Sequence, residues 1–266
     1  MLPSLALNYR IGQSTNLRAS ATQTLSRPEY RELSPILFRE VIGGDNVKGN
    51  PDLKRALIRN VDVRWEWYPR SGEVLSVALF AKKFIDPIER VYTGTSGTRI
   101  ITYVNAKGAD NYGVELEARK GLGILGATFR PFTVFANATI MKSKIRLDLA
   151  GGSVTNAERK MVGQAPYVLN AGMTWRHPSV DASATLLFNR VGERISEAGE
   201  IPLPDVVEQP RNVLDGSVAF PLFGGLSGRA DVKNLLDAPY RLTQGSVVRE
   251  GYRVGRVFSI GFSWKQ

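Results

Sequence analysis

The lone histidine and the hydroxyls and carboxylate beside it are the first residues whose types could do chemistry. His177 with Ser179 or Ser183 and Asp181 supplies the groups of a hydrolase relay. The spacing works against that role. His177-Pro178-Ser179 reads as a tight turn, and Ser179 and Asp181 stand too close in sequence to build an oriented relay, so turn chemistry is the favoured reading. Glu115 and Glu117 form a second candidate, two carboxylates on one strand face about 7 Å apart that could trade protons. With Arg119 and Lys142 nearby, ion pairing along a wet wall explains them better.

Other constellations are weaker. Arg27, Arg31, Arg39, Lys48, Lys54 and Arg55 make one long connection basic, offset in part by Glu29, Glu32, Glu40, Asp45 and Asp52. A ligand or lipopolysaccharide phosphate suits such a segment, and a solvated loop is the plainer reading. Gly43-Gly44-Asp45 and Gly121-Leu122-Gly123 lack the strand and helix context of a phosphate loop. The 266 residues contain no Cys and one His, which removes disulfides, thiol nucleophiles, Cys-ligated metals and His-cluster metal sites. No cofactor or metal site is expected. Lys and Arg number 35 against 25 Asp and Glu, a net charge of +10. The basic residues are dispersed and the aromatics lie on apolar faces, so no stacking platform for nucleic acid emerges.

The elements that carry these residues are strands. Val61, Val63, Trp65 and Trp67 alternate with Asp62, Arg64 and Glu66. Tyr112, Val114, Leu116 and Ala118 alternate with Gly113, Glu115, Glu117 and Arg119. Near the end, Phe258, Ile260, Phe262 and Trp264 alternate with Val257, Ser259, Gly261 and Ser263. Apolar runs fall far short of the ~20 residues of a membrane-spanning helix. The pattern predicts about eleven strands, near 4–11, 15–26, 54–68, 73–86, 108–120, 130–145, 164–177, 180–192, 210–220, 226–236 and 252–264. A further piece of strand is possible at 99–104.

Connections alternate between short ones and long ones such as Arg27–Leu53, Asp86–Ala109, Arg146–Met161, Gly192–Gln209 and Gly245–Glu250. Tight turns on one side and elaborate loops on the other, joined by long two-faced strands, are the marks of a transmembrane β-barrel. The expected fold is therefore all-β, an antiparallel barrel whose apolar face meets lipid and whose polar face, with Asp62, Arg64, Glu66, Glu115, Glu117 and Arg119, lines the lumen. Trp65, Trp67 and Trp175 sit near strand ends, where interfacial aromatics belong. An odd strand count would give a parallel closing seam, so eleven suggests half of a wider wall.

Several segments then resemble TonB-dependent outer-membrane receptors. Asn16-Leu17-Arg18-Ala19-Ser20 leading to Thr24–Leu33, Gly49-Asn50-Pro51-Asp52-Leu53, Asn111–Glu117 with its G-x-E-x-E pattern, Val232–Tyr240 with N-L-x-D-x-x-Y, and the closing Gly255–Trp264 follow the order of that family. The resemblance implies a 22-stranded barrel of which residues 1–266 are the C-terminal part, with plug domain and signal peptide absent from this chain. It implies uptake of a scarce ligand, such as a siderophore, vitamin or saccharide, driven through TonB, with outer-membrane lipid and lipopolysaccharide, the missing half-barrel, the plug and the TonB complex as partners. Phe258, Ile260, Phe262 and Trp264 would be its assembly signal, although Lys265-Gln266 follow the final aromatic. The competing expectations are an outer-membrane barrel hydrolase and a soluble all-β protein.

Overall fold

A computed structural model describes residues 1–39, 46–93, 100–147, 155–199 and 201–264. Eleven long strands form one antiparallel sheet in sequence order. They are β1 (Ser4–Ile11), β2 (Thr15–Ser26), β3 (Ala56–Trp67), β4 (Val74–Ile85), β5 (Gly108–Gly121), β6 (Phe132–Arg146), β7 (Tyr167–Arg176), β8 (Ser183–Val191), β9 (Arg211–Pro221), β10 (Leu226–Lys233) and β11 (Val257–Trp264). A two-residue strand, Glu158–Arg159, adds to the end of β6. The expected count of eleven stands. Each strand pairs with its chain neighbour, and β1 and β11 are left as free edges, so the sheet is open among the described residues.

Side chains opposite one another in an antiparallel pair share a face, so the register assigns both faces of the whole wall. One transverse row reads Leu7, Ala19, Val63, Leu79, Val114, Ile140 and Tyr167. The next reads Leu5, Ala21, Val61, Ala81, Tyr112 and Lys142. At the other end of the sheet Phe188 and Leu214 stand opposite, as do Val232 and Phe258, and Ala230 and Ile260. This apolar face is exposed: Leu79 is 59% accessible and Ile260 73%. The opposite face is polar. Asn189 donates to Asn170 and Asn170 to Asn137 along three adjacent strands, at 2.6 and 2.8 Å. Thr174 and Thr185 pair hydroxyls at 3.0 Å.

Hairpin lengths alternate as the sequence indicates. β9 and β10 are joined by Leu222–Gly225, where Gly224 and Gly225 both hold positive φ, 58° and 80°. Consecutive left-handed positions cost a Cβ-bearing residue about 1–2 kcal/mol each, which is why two glycines stand there. On the other side the loops carry their own small sheets. Leu37–Arg39, Asn46–Lys48, Ile100–Asn105 and Ile88–Thr93 form one; Arg194–Glu197, Val206–Glu208, Pro239–Gln244 and Val247–Arg253 form another.

These loop strands correct several expected boundaries. The strand near 99–104 exists as Ile100–Asn105, outside the wall. Residues 252 and 253 belong to a loop hairpin, and β11 starts at Val257; β10 stops at Lys233, because Asn234 turns the chain at φ 54°. Within a longer connection, Gly245 and Ser246 are thus the turn of that hairpin, and Val247–Glu250 belong to its second strand. The only α-helical turn among the described residues is Tyr30–Leu33, with Glu29 as its cap.

The buried core lies at the loop end of the wall. Val91 and Ala106 from the 86–107 connection pack on Ala109, Ile145 and Leu147, with Phe84, Val104 and Met161 against them. A second cluster, Val47 and Ile101 with Phe38 and Tyr103, joins the first two long loops.

Candidate functional site: the polar face and its loop cover

The polar wall of β2 to β5 is built by strand parity. Asp62, Arg64 and Glu66 alternate with Val61, Val63, Trp65 and Trp67, so each acidic or basic group turns to the face opposite the tryptophans. Arg64 is the hub. Its Nε donates to Glu66 at 2.9 Å and its Nη2 to Glu117 at 2.5 Å. Arg18 Nε lies 3.1 Å from the other Glu66 oxygen, and Ser76 donates to Glu117 at 3.4 Å. Glu66 is buried at 5% exposure, and its pairing with two guanidinium groups offsets the cost of burying that charge. Asp62 accepts from Ser20 at 3.5 Å.

Glu115 and Glu117 do share a face, but they act separately. Glu115 stands opposite Ala78 and Thr139 and has no ion-pair partner among the described residues, whereas Glu117 is held by Arg64. Arg119 stays with this face and lies over the Phe135 ring at 5.7 Å. Lys142 is a correction. It stands opposite Tyr112, on the apolar face, so it cannot neutralise Glu115 or Glu117. Trp65, Trp67 and Trp175 lie on the apolar face near the short-turn end. Phe258, Ile260, Phe262 and Trp264 share that face along edge strand β11, and Trp264 Nε1 donates to Gly224 O at 2.8 Å.

The hydrolase constellation does not assemble. Nδ1 of His177 accepts the backbone N–H groups of Ser179 and Val180, both at 3.1 Å, and the ring stacks edge-on with Trp175 at 5.8 Å. The imidazole caps its own turn, so its basic nitrogen is already occupied.

At the long-loop end sits an ion pair that sequence reading did not single out. Arg159 Nη2 lies 2.9 Å from Glu89, with side chains 3% and 4% exposed. It ties the 86–107 connection to the segment after β6. Burial pushes the Glu89 carboxyl up, against the pull of Arg159. The two residues lie 70 apart in sequence and on different loops, so no local spacing announces them. At the other end of the wall, Glu73 accepts from Lys120 at 2.8 Å and from Gly121 N–H at 3.2 Å. The Lys120 hydrogen bond holds its carboxyl below the usual range.

Of the basic first loop, Arg39 donates to Asn46 in the small sheet and Lys54 N–H to Asn105, bracing it to the second loop. Glu40, Gly43, Gly44 and Asp45 lie outside the described residues.

An open sheet of long two-faced antiparallel strands, with tight turns at one end and interlocked loops at the other, is the wall of an outer-membrane β-barrel. The sequence profile described as "TonB dependent receptor-like, beta-barrel" matches residues 1–235, and the chain belongs to that family. Among characterised relatives, an iron-regulated outer membrane virulence protein of Vibrio cholerae is 25% identical over 254 residues, 94% of this chain and 36% of the relative. The chain therefore spans little more than a third of that relative's length. A mutant form of the ferric enterobactin receptor PfeA of Pseudomonas aeruginosa superposes with a TM-score of 0.66 at 18% identity, covering 98% of this chain and 39% of the receptor. The FrpB iron transporter of Neisseria meningitidis gives 0.66 at 15% identity, covering 98% and 38%. Family and fold neighbours are receptors and transporters, and their site is the outer membrane. The soluble and hydrolase alternatives find no support there.

Proposed function

We propose that this chain is the C-terminal wall segment of a transporter that takes up a ferric chelate, using energy delivered through TonB. The observation that carries the reading is the match to an iron-regulated outer-membrane protein across 94% of the chain. In this reading the chain itself performs no chemistry. Its polar face, with Asp62, Arg64, Glu66, Glu115, Glu117 and Arg119, lines the lumen, and Glu115, without an ion-pair partner among the described residues, is available to a plug domain. Strands outside this chain pair with the free edges β1 and β11, for an open edge in hydrocarbon leaves backbone groups unsatisfied at several kcal/mol each. The long loops face the exterior, and outer-membrane lipid covers the apolar face with Trp65, Trp67 and Trp175 at its inner margin. Exposed Phe258, Ile260, Phe262 and Trp264 on an edge strand suit recognition by the barrel-assembly machinery.

The test is growth and radiolabelled iron uptake by cells lacking the gene, with and without a plasmid copy, on a panel of ferric siderophores under iron starvation. Uptake of one chelate restored by the copy, and abolished when TonB is deleted, is the expected result. Uptake of every chelate unchanged by the deletion would overturn the iron reading, and uptake independent of TonB would overturn the energy coupling. Vitamins and oligosaccharides are the cargo classes to try next in the first case.

A further inference from the structure

The register divides the polar face into sectors of different chemistry. β5 turns Glu115, Glu117 and Arg119 to it, and further along the wall β9 and β10 turn Arg211, Asp215, Arg229, Asp231 and Lys233. Between these charged flanks lie β6, β7 and β8. Their polar face carries no Asp, Glu, Lys or Arg except Arg176, at the short-turn end of β7. Three strands at ~4.8 Å spacing make this uncharged strip about 14 Å wide.

The groups of the strip largely satisfy one another. Asn189 donates to Asn170 and Asn170 to Asn137, and the hydroxyls of Thr174 and Thr185 share a hydrogen bond. One row nearer the short turns, the Phe135 ring extends over Gly172, where any Cβ would overlap it. The flanks differ. Lys82 on β4, Glu115 on β5 and Lys233 on β10 face the same side and have no ion-pair partner among the described residues.

A solute that crosses a lumen needs contacts numerous enough to guide it and weak enough to release it. Free charges in a confined, partly desolvated lumen do the opposite, because their attraction is several-fold stronger than in bulk water. We propose that the transported solute moves along the inner face of β6–β8, with the amides of Asn137, Asn170 and Asn189 and the ring of Phe135 as successive contacts, while the charged flanks hold the plug. The inference deepens the transport reading above and rests on it. The solute it fits presents hydrogen-bonding groups together with flat apolar surface.

The experiment uses the protein in its own outer membrane. The chain contains no Cys, so single thiols can be placed on the strip (Thr139→Cys, Thr185→Cys) and on the flanks (Ser20→Cys, Ser217→Cys), and alkylation by N-ethylmaleimide is followed by peptide mass mapping. With no solute added, the strip thiols are expected to react at least fivefold faster than the flank thiols, whose surroundings the plug covers. Equal rates, or faster reaction on the flanks, would overturn the proposal. Uptake is the second readout. Asn170→Asp and Asn170→Lys place a charge of either sign on the path, and each is expected to lower the maximal uptake rate of a mixed ferric-siderophore panel at least threefold. Ser217→Asp and Ser217→Lys are expected to stay within twofold of the parent. Parental uptake by both Asn170 variants would overturn the proposal, and if they fail to assemble the alkylation rates decide it alone. Uptake of the panel that does not depend on the gene marks failure of the transport reading instead, and the alkylation pattern keeps the two failures apart.

Discussion

Arg64 on β3 reaches over the whole of β4 to Glu117 on β5, closing to 2.5 Å while its Nε remains on Glu66 of its own strand. One guanidinium therefore staples three strands of a wall that has no packed interior. The backbone ladder fixes spacing, and Arg64 fixes the lateral order of charge on the polar face.

Removing the hub should cost more than removing its outer partner. Arg64→Met leaves Glu66, at 5% exposure, with Arg18 alone, and a loss of about 1–3 kcal/mol is expected for a buried acceptor stripped of a partner. Glu117→Gln alters a half-exposed contact and should cost less than about 1 kcal/mol. Urea unfolding of the lipid-reconstituted protein measures both, and equal losses would contradict the hub role of Arg64.

The Glu89–Arg159 pair should behave as a lock between loops. Arg159→Met leaves a carboxylate buried without its cation, a change that typically costs about 3–5 kcal/mol, and it should open the 86–107 connection to protease while the wall stays intact. The double variant Glu89→Leu with Arg159→Met should recover much of that loss. Limited proteolysis followed by mass mapping distinguishes the three proteins.

Glu73 gives a pH signature. Its carboxyl is held below the ordinary 4.5 by Lys120. A depressed carboxylate contributes its stabilisation fully above its unfolded value, and that contribution is lost as pH falls from 4.5 through the lower folded value. Amide exchange at Gly121, corrected for intrinsic rate, should accelerate across that window, and in Glu73→Gln the acceleration should vanish.

The apolar face should respond to solvent rather than to packing. Leu79→Arg alters a side chain that is already 59% exposed, so a water-soluble protein would scarcely notice it. Against lipid at mid-wall it should cost about 2–4 kcal/mol, read as the difference in unfolding free energy between vesicles and detergent-free refolding buffer. Ser20→Arg on the opposite face should show no such penalty.

Much of this was legible because a two-residue period survives without tertiary help. Val61 to Trp67 and Phe258 to Trp264 announce strand, face and length together, and the wall follows from repeating that inference. Lys142 was misplaced because proximity to Glu115 was judged by chain neighbourhood; the β5–β6 register, which decides the face, is a pairing fact. The same pairing, carried from Glu117 through Asn137 and Asn170 to Asn189, is what reveals the uncharged strip. Glu89 and Arg159 carry no such mark, because loop-to-loop contacts obey no period. The loop hairpin between the expected strands 226–236 and 252–264 was missed for a related reason, since Pro239–Gln244 and Val247–Arg253 are as strand-like as the wall itself.

The loop sheets have a consequence for how such a protein can diversify. Asn46 and Val47 of the first loop pair in parallel with Ile100 and Ile101 of the second, Thr155 N–H donates to Gly199 O between the third and fourth, and Val206–Glu208 of the fourth pairs with Leu242–Gln244 of the fifth. No long loop is an independent appendage. Exchange of one loop between homologues would leave a strand or a backbone hydrogen bond in its neighbour without a partner, so recombination that varies this end of the wall has to move adjacent loops in pairs, together with the wall strands that lie between them.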